Sequence, residues 1–153
     1  MAWATPHQAV DVSERLCRQW RGRYLLAEEF VLGIFSPTGD RLLGGTGFHL
    51  RGHDISNESA EIGMWIRGDA AGQGLGTRAL VTMLGWGFAQ WPWARITWIC
   101  DTRNLASART AEKAGMLKEG CLRQSEIAAD SDERRDTYIF AALRDEWRPP
   151  SGF

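Results

Sequence analysis

The sequence predicts an α/β protein in which helices pack on a mixed β-sheet. Strand-type segments joined by turn residues occur as pairs at both ends of the chain, which favours antiparallel hairpins. A strand, a glycine-rich loop, a helix and another strand lie between them. The chain has 153 residues, of which 44% are hydrophobic and 24% charged, as in ordinary globular proteins. This length suits one core, so we expect a single domain over residues 1–153.

The first part of the chain predicts a helix followed by a β-hairpin. Val12, Leu16 and Trp20 recur at helical spacing, which predicts a helix over residues 12–20. Residues 28–35 are rich in strand-forming side chains, and residues 42–50 return as a second strand. Ser36-Pro37-Thr38-Gly39-Asp40 separates them with strong turn chemistry.

The central part predicts a strand, a loop and a helix. A polar loop over residues 51–59 leads to a strand that ends near Arg67. Three alternating glycines then precede a helix that begins at Thr77 and stops before Pro92. The apolar face of this helix is formed by Leu80, Met83, Leu84, Gly87, Phe88 and Trp91.

The last part predicts a further strand, a short helix and a second hairpin. The strand covers residues 94–100, and the helix runs from about Ala106 to Gly115, a typical C-terminal glycine. Two strands follow, at residues 116–128 and 137–143, with a charged turn at residues 130–133 between them. One side of the residue 94–100 strand carries Ile96, Trp98 and Cys100.

Composition excludes several classes of function. A net charge of −1 argues against a nucleic-acid partner held by bulk electrostatics, and no apolar run is long enough to span a membrane. The odd number and wide spacing of the cysteines predict reduced core thiols of a cytoplasmic protein: Cys17, Cys100 and Cys121. The histidines lack metal-ligand spacing, so we expect no metal site and assign surface or loop roles to His7, His49 and His53.

The glycine-rich loop predicts a seat for a pyrophosphate, because glycines before a helix let backbone N–H groups approach an anion. One interpretation is a dinucleotide site: Gly74-Leu75-Gly76-Thr77-Arg78-Ala79 fits the glycine fingerprint, and Asp101 follows the next strand. Against this, residues 67–71 separate the preceding strand from the fingerprint, and only one crossover unit is present.

The second interpretation is coenzyme A, and it rests on motifs that appear in order. Together they closely resemble the GNAT N-acetyltransferase superfamily, in the branch of the RimJ/RimL-type ribosomal-protein N-terminal acetyltransferases. The resemblance runs from about Phe30 to Trp147. Its motifs are Glu61-Ile62-Gly63-Met64-Trp65-Ile66, the residue 72–79 loop, Asn104-Leu105-Ala106-Ser107-Ala108-Arg109, Glu112-Lys113-Ala114-Gly115-Met116 and Glu119-Gly120.

The resemblance implies how acetyl-CoA binds. The pantetheine arm inserts between two parallel strands that splay apart, at residues 61–67 and 95–100. Its amides pair with the strand edge around Met64, Trp65 and Ile66. Its pyrophosphate meets the N–H groups of Gly72, Gly74, Gly76 and Thr77. Ala71 departs from the family pattern at a position where many relatives carry a larger side chain.

The second helix implies further contacts. Asn104 would hold the pantetheine, or would only cap the helix. Ser107 would bind the cofactor sulfur and protonate the departing thiolate, with helix capping as its alternative role. Arg109 and Lys113, four residues apart on one face, would reach the phosphates or remain solvated surface charges.

The expected reaction is direct attack of a neutral amine on the thioester. Deprotonation at neutral pH costs roughly 1 kcal/mol for an α-amine and about 4–5 kcal/mol for lysine. An α-amine therefore needs little help, and a carboxylate acting through water can supply it. Glu126 is the preferred base and Glu61 the second candidate, with a solvated strand glutamate as the alternative for each.

The sequence thus predicts an acetyl-CoA-dependent N-acetyltransferase acting on a primary amine, and a protein or peptide N-terminus is the expected acceptor. A small-molecule amine acetyltransferase and a non-catalytic acyl-CoA-binding module are the alternatives. Relatives begin with an additional strand and helix ahead of a segment like Met1-Ala2-Trp3-Ala4. Without that strand a sheet edge would be bare, which invites a homodimer.

Overall fold

The computed structural model describes residues 9–51, 55–127 and 132–153. Parts of the expected residue 51–59 loop and residue 130–133 turn, the end of the residue 116–128 strand and the N-terminal segment lie outside these ranges. The described chain contains three α-helices: α1 (Val10–Leu25), α2 (Leu75–Gln90) and α3 (Leu105–Lys113). It also contains six strands: β1 (Glu29–Phe35), β2 (Leu42–His49), β3 (Ser59–Ile66), β4 (Arg95–Asp101), β5 (Leu117–Ile127) and β6 (Arg134–Leu143).

The six strands form one mixed sheet in the order β1-β2-β3-β4-β6-β5. The pairs β1/β2, β2/β3, β4/β6 and β5/β6 are antiparallel. Strands β3 and β4 are parallel, and α2 forms the crossover between them. The predicted α/β class, with a hairpin at each end and a strand–helix–strand unit in the middle, is confirmed.

Helix α1 and strand β6 extend furthest beyond their predicted bounds, and α2 begins at Leu75 rather than Thr77. Helix α1 covers 16 residues, whereas the apolar spacing predicted a helix over residues 12–20. Strand β6 begins at Arg134, three residues before the predicted start at Thr137. Its polar start pairs with the end of β5, Arg134 opposite Ile127 and Arg135 opposite Glu126. Charged residues on an edge ladder give no apolar alternation, so the sequence pattern missed them.

Helix α2 packs on the sheet through its predicted face. Leu80, Met83, Leu84 and Gly87 are buried. A Cβ added to Gly87 would lie 2.8 Å from Ile96 Cδ1 and 2.9 Å from Phe48 Cζ, so the glycine lets the helix approach the strands closely.

An aromatic cluster fills the space between the end of α2 and the sheet. Trp91 and Trp93 stack with ring centroids 4.7 Å apart, and Phe48 lies 4.7 Å from Trp93. Arg144 fixes this corner, because its Nε donates to Trp93 O over 2.9 Å and its other nitrogens donate to Phe88 O and Trp91 O. Guanidinium donors thereby satisfy carbonyl groups at and beyond the C-terminal end of α2.

The cysteine prediction is right for one residue and wrong for two. Cys100 is buried, whereas Cys17 and Cys121 are exposed. Cys17 lies on α1, which buries none of its residues, and Cys121 lies on the edge strand β5. The thiols of all three are free. Within the described ranges, no helix combines the length and hydropathy needed to cross a bilayer.

Candidate active site

The central parallel strands separate along their length. β3 and β4 are in register only at Ser59/Arg95, Ala60/Ile96 and Glu61/Thr97. Beyond that point β3 remains paired with β2 as far as Ile66, and β4 remains paired with β6 as far as Asp101. The sheet therefore opens into a wedge between two intact three-stranded halves.

The β3 side of the wedge presents unpaired backbone groups. Arg67 N donates to Leu43 O over 2.9 Å, which identifies the hydrogen-bonded positions of the β2/β3 ladder. Because successive residues point their N–H and C=O groups to alternate edges, those of Met64 and Ile66 face the wedge. The N–H and C=O groups of Trp65 face β2. Of the three residues predicted at this edge, Met64 and Ile66 are therefore the ones whose backbone groups face the wedge.

The glycine loop exposes the start of α2. Gly72 and Gly74 both have φ of +76°, a left-handed conformation that favours glycine, and Gly74 is the N-cap. Because Gly74 has no side chain, it gives the first-turn N–H groups of Leu75, Gly76 and Thr77 no side-chain cap. A Cβ at Gly72 would meet no atom within 4 Å, and one at Gly74 would meet only Arg78 Nη1 at 3.5 Å. The loop is thus an open cradle of N–H donors at a helix start, which fits a pyrophosphate.

The predicted cationic residues lie on α3. Arg109 and Lys113 are both exposed. Arg78 adds a third exposed cation at the first turn of α2, where its Nη1 lies 3.4 Å from Gln73 O. These positive charges lie on the two helices that follow the wedge strands, which suits an anionic ligand.

The N-terminus of α3 turns toward β4. Asn104 is the N-cap, because its Oδ1 accepts from Ser107 N over 3.1 Å, so its capping role is observed. Ser107 Oγ accepts a hydrogen bond from Trp98 Nε1 over 3.0 Å. An indole N–H can only donate, so this contact uses a lone pair of the Ser107 oxygen and leaves the hydroxyl hydrogen as a donor. The buried Cys100 thiol next to it is one acceptor, because a hydrogen bond from Ser107 acts to lower the pKa of Cys100 against the larger effect of burial. Trp98 lies just beyond the last residue of β4 that pairs with β3, so its contact places the Ser107 hydroxyl beside the wedge.

The two candidate carboxylates both carry arginine partners. Glu61 is bound by Arg51 Nη2, and Glu126 Oε2 lies 3.0 Å from Arg135 Nη2. The hydrogen bond that Arg51 donates to Glu61 is the main cause of the raised pKa of Arg51, and the charges of Glu61, Glu126 and Glu29 contribute. Arg51 is therefore the common neighbour of these carboxylates on one side of the sheet.

The dinucleotide interpretation requires the carboxylate of Asp101 to be available to a ribose, but arginine side chains already bind it. Arg103 binds it from the side chain, with Nη2 to Oδ2 at 2.8 Å, and from the backbone N–H at 2.8 Å to Oδ1. Arg135 Nη1 lies 3.6 Å from the same carboxylate. The hydrogen bond from Arg103 is the main reason that the pKa of Asp101 falls below its usual range.

A sheet that splays at its one parallel pair, with an uncapped glycine loop at the helix between the two strands, defines an acyl-CoA-dependent acyltransferase fold. The family model described as acetyltransferase (GNAT) domain matches residues 1–117. The chain belongs to the GNAT acetyltransferase family. The coenzyme A interpretation is confirmed, and the dinucleotide alternative is wrong.

The chain is similar to named acetyltransferases. It is 30% identical over 127 residues to the probable N-acetyltransferase YjcK of Bacillus subtilis, covering 82% of this chain and 68% of that protein. It is also 30% identical over 89 residues to the ribosomal-protein-serine acetyltransferase of Escherichia coli, covering 58% of this chain and 49% of that protein. The predicted likeness to the RimJ/RimL branch is confirmed.

Solved structures share the fold. A probable acetyltransferase superposes with a TM-score of 0.82 at 25% identity, covering 93% of this chain and 77% of that one. The microcin C7 self-immunity acetyltransferase MccE, in complex with acetyl-CoA and AMP, gives 0.78 at 23% identity, covering 89% of this chain and 72% of that one. The chain is an N-acetyltransferase domain whose cofactor is acetyl-CoA.

Several residues at this site were not predicted from the sequence. Trp98, Arg51 and Arg135 have roles that depend on strands that are distant in the chain, so spacing along the sequence carries no signal for them. For Trp98 the alternation of β4 indicated which face of the sheet its side chain is on, but not its contact with Ser107.

Proposed function

We propose that this chain transfers the acetyl group of acetyl-CoA to the α-amine at the N-terminus of a protein or peptide. The observation that carries the proposal is the wedge between β3 and β4 next to the uncapped start of α2. The name of the E. coli relative, a ribosomal-protein-serine acetyltransferase, supports the acceptor class. The low deprotonation cost of an α-amine, roughly 1 kcal/mol at neutral pH, supports it further.

In this proposal the chain's own groups hold acetyl-CoA at both ends. The N–H groups of Gly72, Gly74, Gly76 and Thr77 bind the pyrophosphate, with Arg109 and Lys113 adding positive charge. The backbone groups of Met64 and Ile66 bind the amides of the arm. Asn104 keeps its side-chain NH₂ group for the same arm, because only its oxygen is used in the cap.

The bound cofactor supplies an electrophilic acetyl carbonyl and a thiolate leaving group. Ser107 donates its hydroxyl hydrogen to the leaving sulfur, and Trp98 orients that hydroxyl through the 3.0 Å hydrogen bond to its oxygen. The carboxylates Glu61 and Glu126 make the acceptor side of the wedge attractive to an ammonium group. Because both are held by guanidinium groups, they act as fixed charges or through water.

A small-molecule amine is the second candidate acceptor. The side chain of Glu61 is only 12% exposed, so an acceptor must reach it with a slender cationic end. A polyamine has such an end, as does an N-terminus.

The test is release of free coenzyme A thiol from acetyl-CoA with peptides that begin in serine or alanine, with spermidine, and without acceptor. We expect the peptides to be acetylated at their α-amine, by mass spectrometry, and Ser107→Ala to lower kcat at least tenfold with the KM for acetyl-CoA unchanged. If spermidine is acetylated and the peptides are not, the acceptor is a small-molecule amine. Binding of acetyl-CoA without thiol release on any acceptor would favour a non-catalytic module.

A further inference from the structure

A row of ionisable side chains crosses the sheet beside the wedge. Glu29 on β1 is directly opposite His49 on β2, and His49 is directly opposite Glu61 on β3. Directly opposite residues point to the same face of a sheet, so the three side chains are neighbours. Glu61 is also opposite Thr97, which is the last paired position before β3 and β4 separate. The row therefore ends where the wedge begins.

The first pair of the row fixes the imidazole. His49 Nδ1 lies 2.7 Å from Glu29 Oε1, and Arg23 Nη1 lies 2.8 Å from Glu29 Oε2. Burial raises the pKa of Glu29, but the hydrogen bonds from Arg23 and His49 outweigh it and lower the pKa overall. An ionised carboxylate only accepts hydrogen bonds, so Nδ1 carries the hydrogen. In the neutral ring, Nε2 then carries the lone pair.

The second nitrogen of the ring points toward the wedge. A Cβ added to Gly63 would lie 2.8 Å from His49 Nε2, so Nε2 lies over this glycine. Gly63 is two residues beyond Glu61, in the part of β3 that has left β4. The side chain of His49 is 24% exposed, so it is not sealed in the core. The missing Cβ of Gly63 therefore gives Nε2 room beside the part of β3 that borders the wedge.

The imidazole differs from the two carboxylates in its partners. Glu61 and Glu126 are bound by Arg51 and Arg135. Among the described residues, His49 has its one hydrogen bond at Nδ1, and Nε2 has no partner. A base needs a free lone pair within reach of the proton that it takes. Nε2 has the free lone pair, and it lies over Gly63 on the strand that borders the wedge.

We propose that His49 Nε2 takes the proton from the ammonium form of the acceptor amine, with Glu29 as the positioning residue. The inference rests on the proposed acetyltransfer and names the group that starts it. The ammonium loses one proton to Nε2, and the neutral nitrogen then bonds to the acetyl carbon while the carbon–sulfur bond breaks and sulfur keeps the electron pair. Sulfur gains a proton from the Ser107 hydroxyl, the Ser107 oxygen takes up the second proton that the nitrogen loses as the amide forms, and His49 returns its proton to solvent.

Charged groups from several elements set the field around His49. Glu29 faces it from β1 and Glu61 from β3. Arg23 of α1 binds Glu29 and Arg51 binds Glu61, and the charge of Glu126 on β5 also acts on Arg51. His49→Gln removes the imidazole and leaves the side chains that carry these charges in place, so its pH dependence can be compared directly with that of the native chain.

The first experiment reads the imidazole directly, with no turnover. Long-range ¹H–¹⁵N spectra of the full chain bound to coenzyme A, assigned with His49→Gln, should show His49 as the Nδ1–H tautomer in its neutral form. Glu29→Gln should reduce that preference, while Glu28→Gln, which removes an exposed neighbouring carboxylate, should not change it. A neutral His49 that is the Nε2–H tautomer in the native chain would overturn the proposal.

The second experiment measures thiol release from acetyl-CoA with a serine-initiated peptide and with spermidine between about pH 6 and pH 9. With the acceptor that turns over, His49→Gln should lower kcat/KM about 10²-fold at neutral pH, with unchanged affinity for coenzyme A. The deficit should shrink above the amine's own pKa of about 8 for an α-amine, and imidazole should restore activity to His49→Ala. A His49→Gln enzyme with native rate and pH profile would overturn the role of His49 alone. A native chain that turns over neither acceptor would overturn the acetyltransfer and the base role together.

Discussion

Replacing Gly76 by aspartate should weaken coenzyme A binding while making the fold more stable. Gly76 lies in the first turn of α2, where the N–H groups are proposed to bind the pyrophosphate. A Cβ at this position would lie 3.8 Å from Ile66 Cγ1 and Thr110 Cγ2, which is ordinary contact, so a side chain fits. A carboxylate there interacts favourably with the helix dipole, by about 0.3–1 kcal/mol. The same carboxylate repels a bound phosphate.

The repulsion can be estimated from the expected geometry. Two unit charges about 5 Å apart interact by about 3 kcal/mol at an effective dielectric constant near 20. Screening over a Debye length of about 8 Å leaves roughly 2 kcal/mol at physiological salt. That free energy corresponds to about a 30-fold loss of affinity.

Gly76→Asn is the matched control, because it has the same shape as Gly76→Asp without the charge. Isothermal titration calorimetry with coenzyme A should give the aspartate variant an affinity about 30-fold below that of the asparagine variant, and the gap should narrow in about 1 M salt. Thermal unfolding should show the aspartate variant to be the more stable of the two. Equal affinities would refute a pyrophosphate at this helix start.

Two further predictions concern the fold. Gly87→Ala should destabilise the protein by about 1–3 kcal/mol in urea unfolding, because its Cβ would lie 2.9 Å from Phe48. Gly85→Ala in the same helix meets only one atom, at 3.9 Å, and should stabilise by up to about 1 kcal/mol; destabilisation by both would contradict the packing. The depressed pKa of Asp101 beside Arg103 contributes stability that is present above the unfolded-state pKa near 4 and is lost as pH falls through the folded-state pKa. Asp101→Asn should therefore lower stability at neutral pH and flatten its acid dependence, and an unchanged acid limb would contradict this.

The sequence predicted the order of elements because local signals are strong here. The 3.6-residue spacing of Leu80, Met83, Leu84 and Gly87 set the buried face of α2, and Gly115 with φ of +81° marks the expected end after α3. Boundaries failed where polar residues pair across strands, as at the start of β6. Alternation cannot show such pairs, since their stability comes from a partner distant in the chain.

The candidate site was predictable where it consists of backbone and less so where it consists of side-chain pairs. Glycine spacing gave the cradle at Gly72 and Gly74, since only the local chain has to adopt the left-handed conformation. The surface role expected for His49 missed its contact with Glu29, which depends on the register of β1 against β2. Register is set by the assembled sheet rather than by either segment alone.

A crystal structure of the chain with coenzyme A would test the central claim most directly. We expect the pyrophosphate at the N–H groups of Gly72 to Thr77, the arm between Met64 on β3 and Trp98 on β4, and the sulfur within hydrogen-bonding distance of Ser107 Oγ. A cofactor bound outside the wedge, or a pyrophosphate away from the start of α2, would contradict the account.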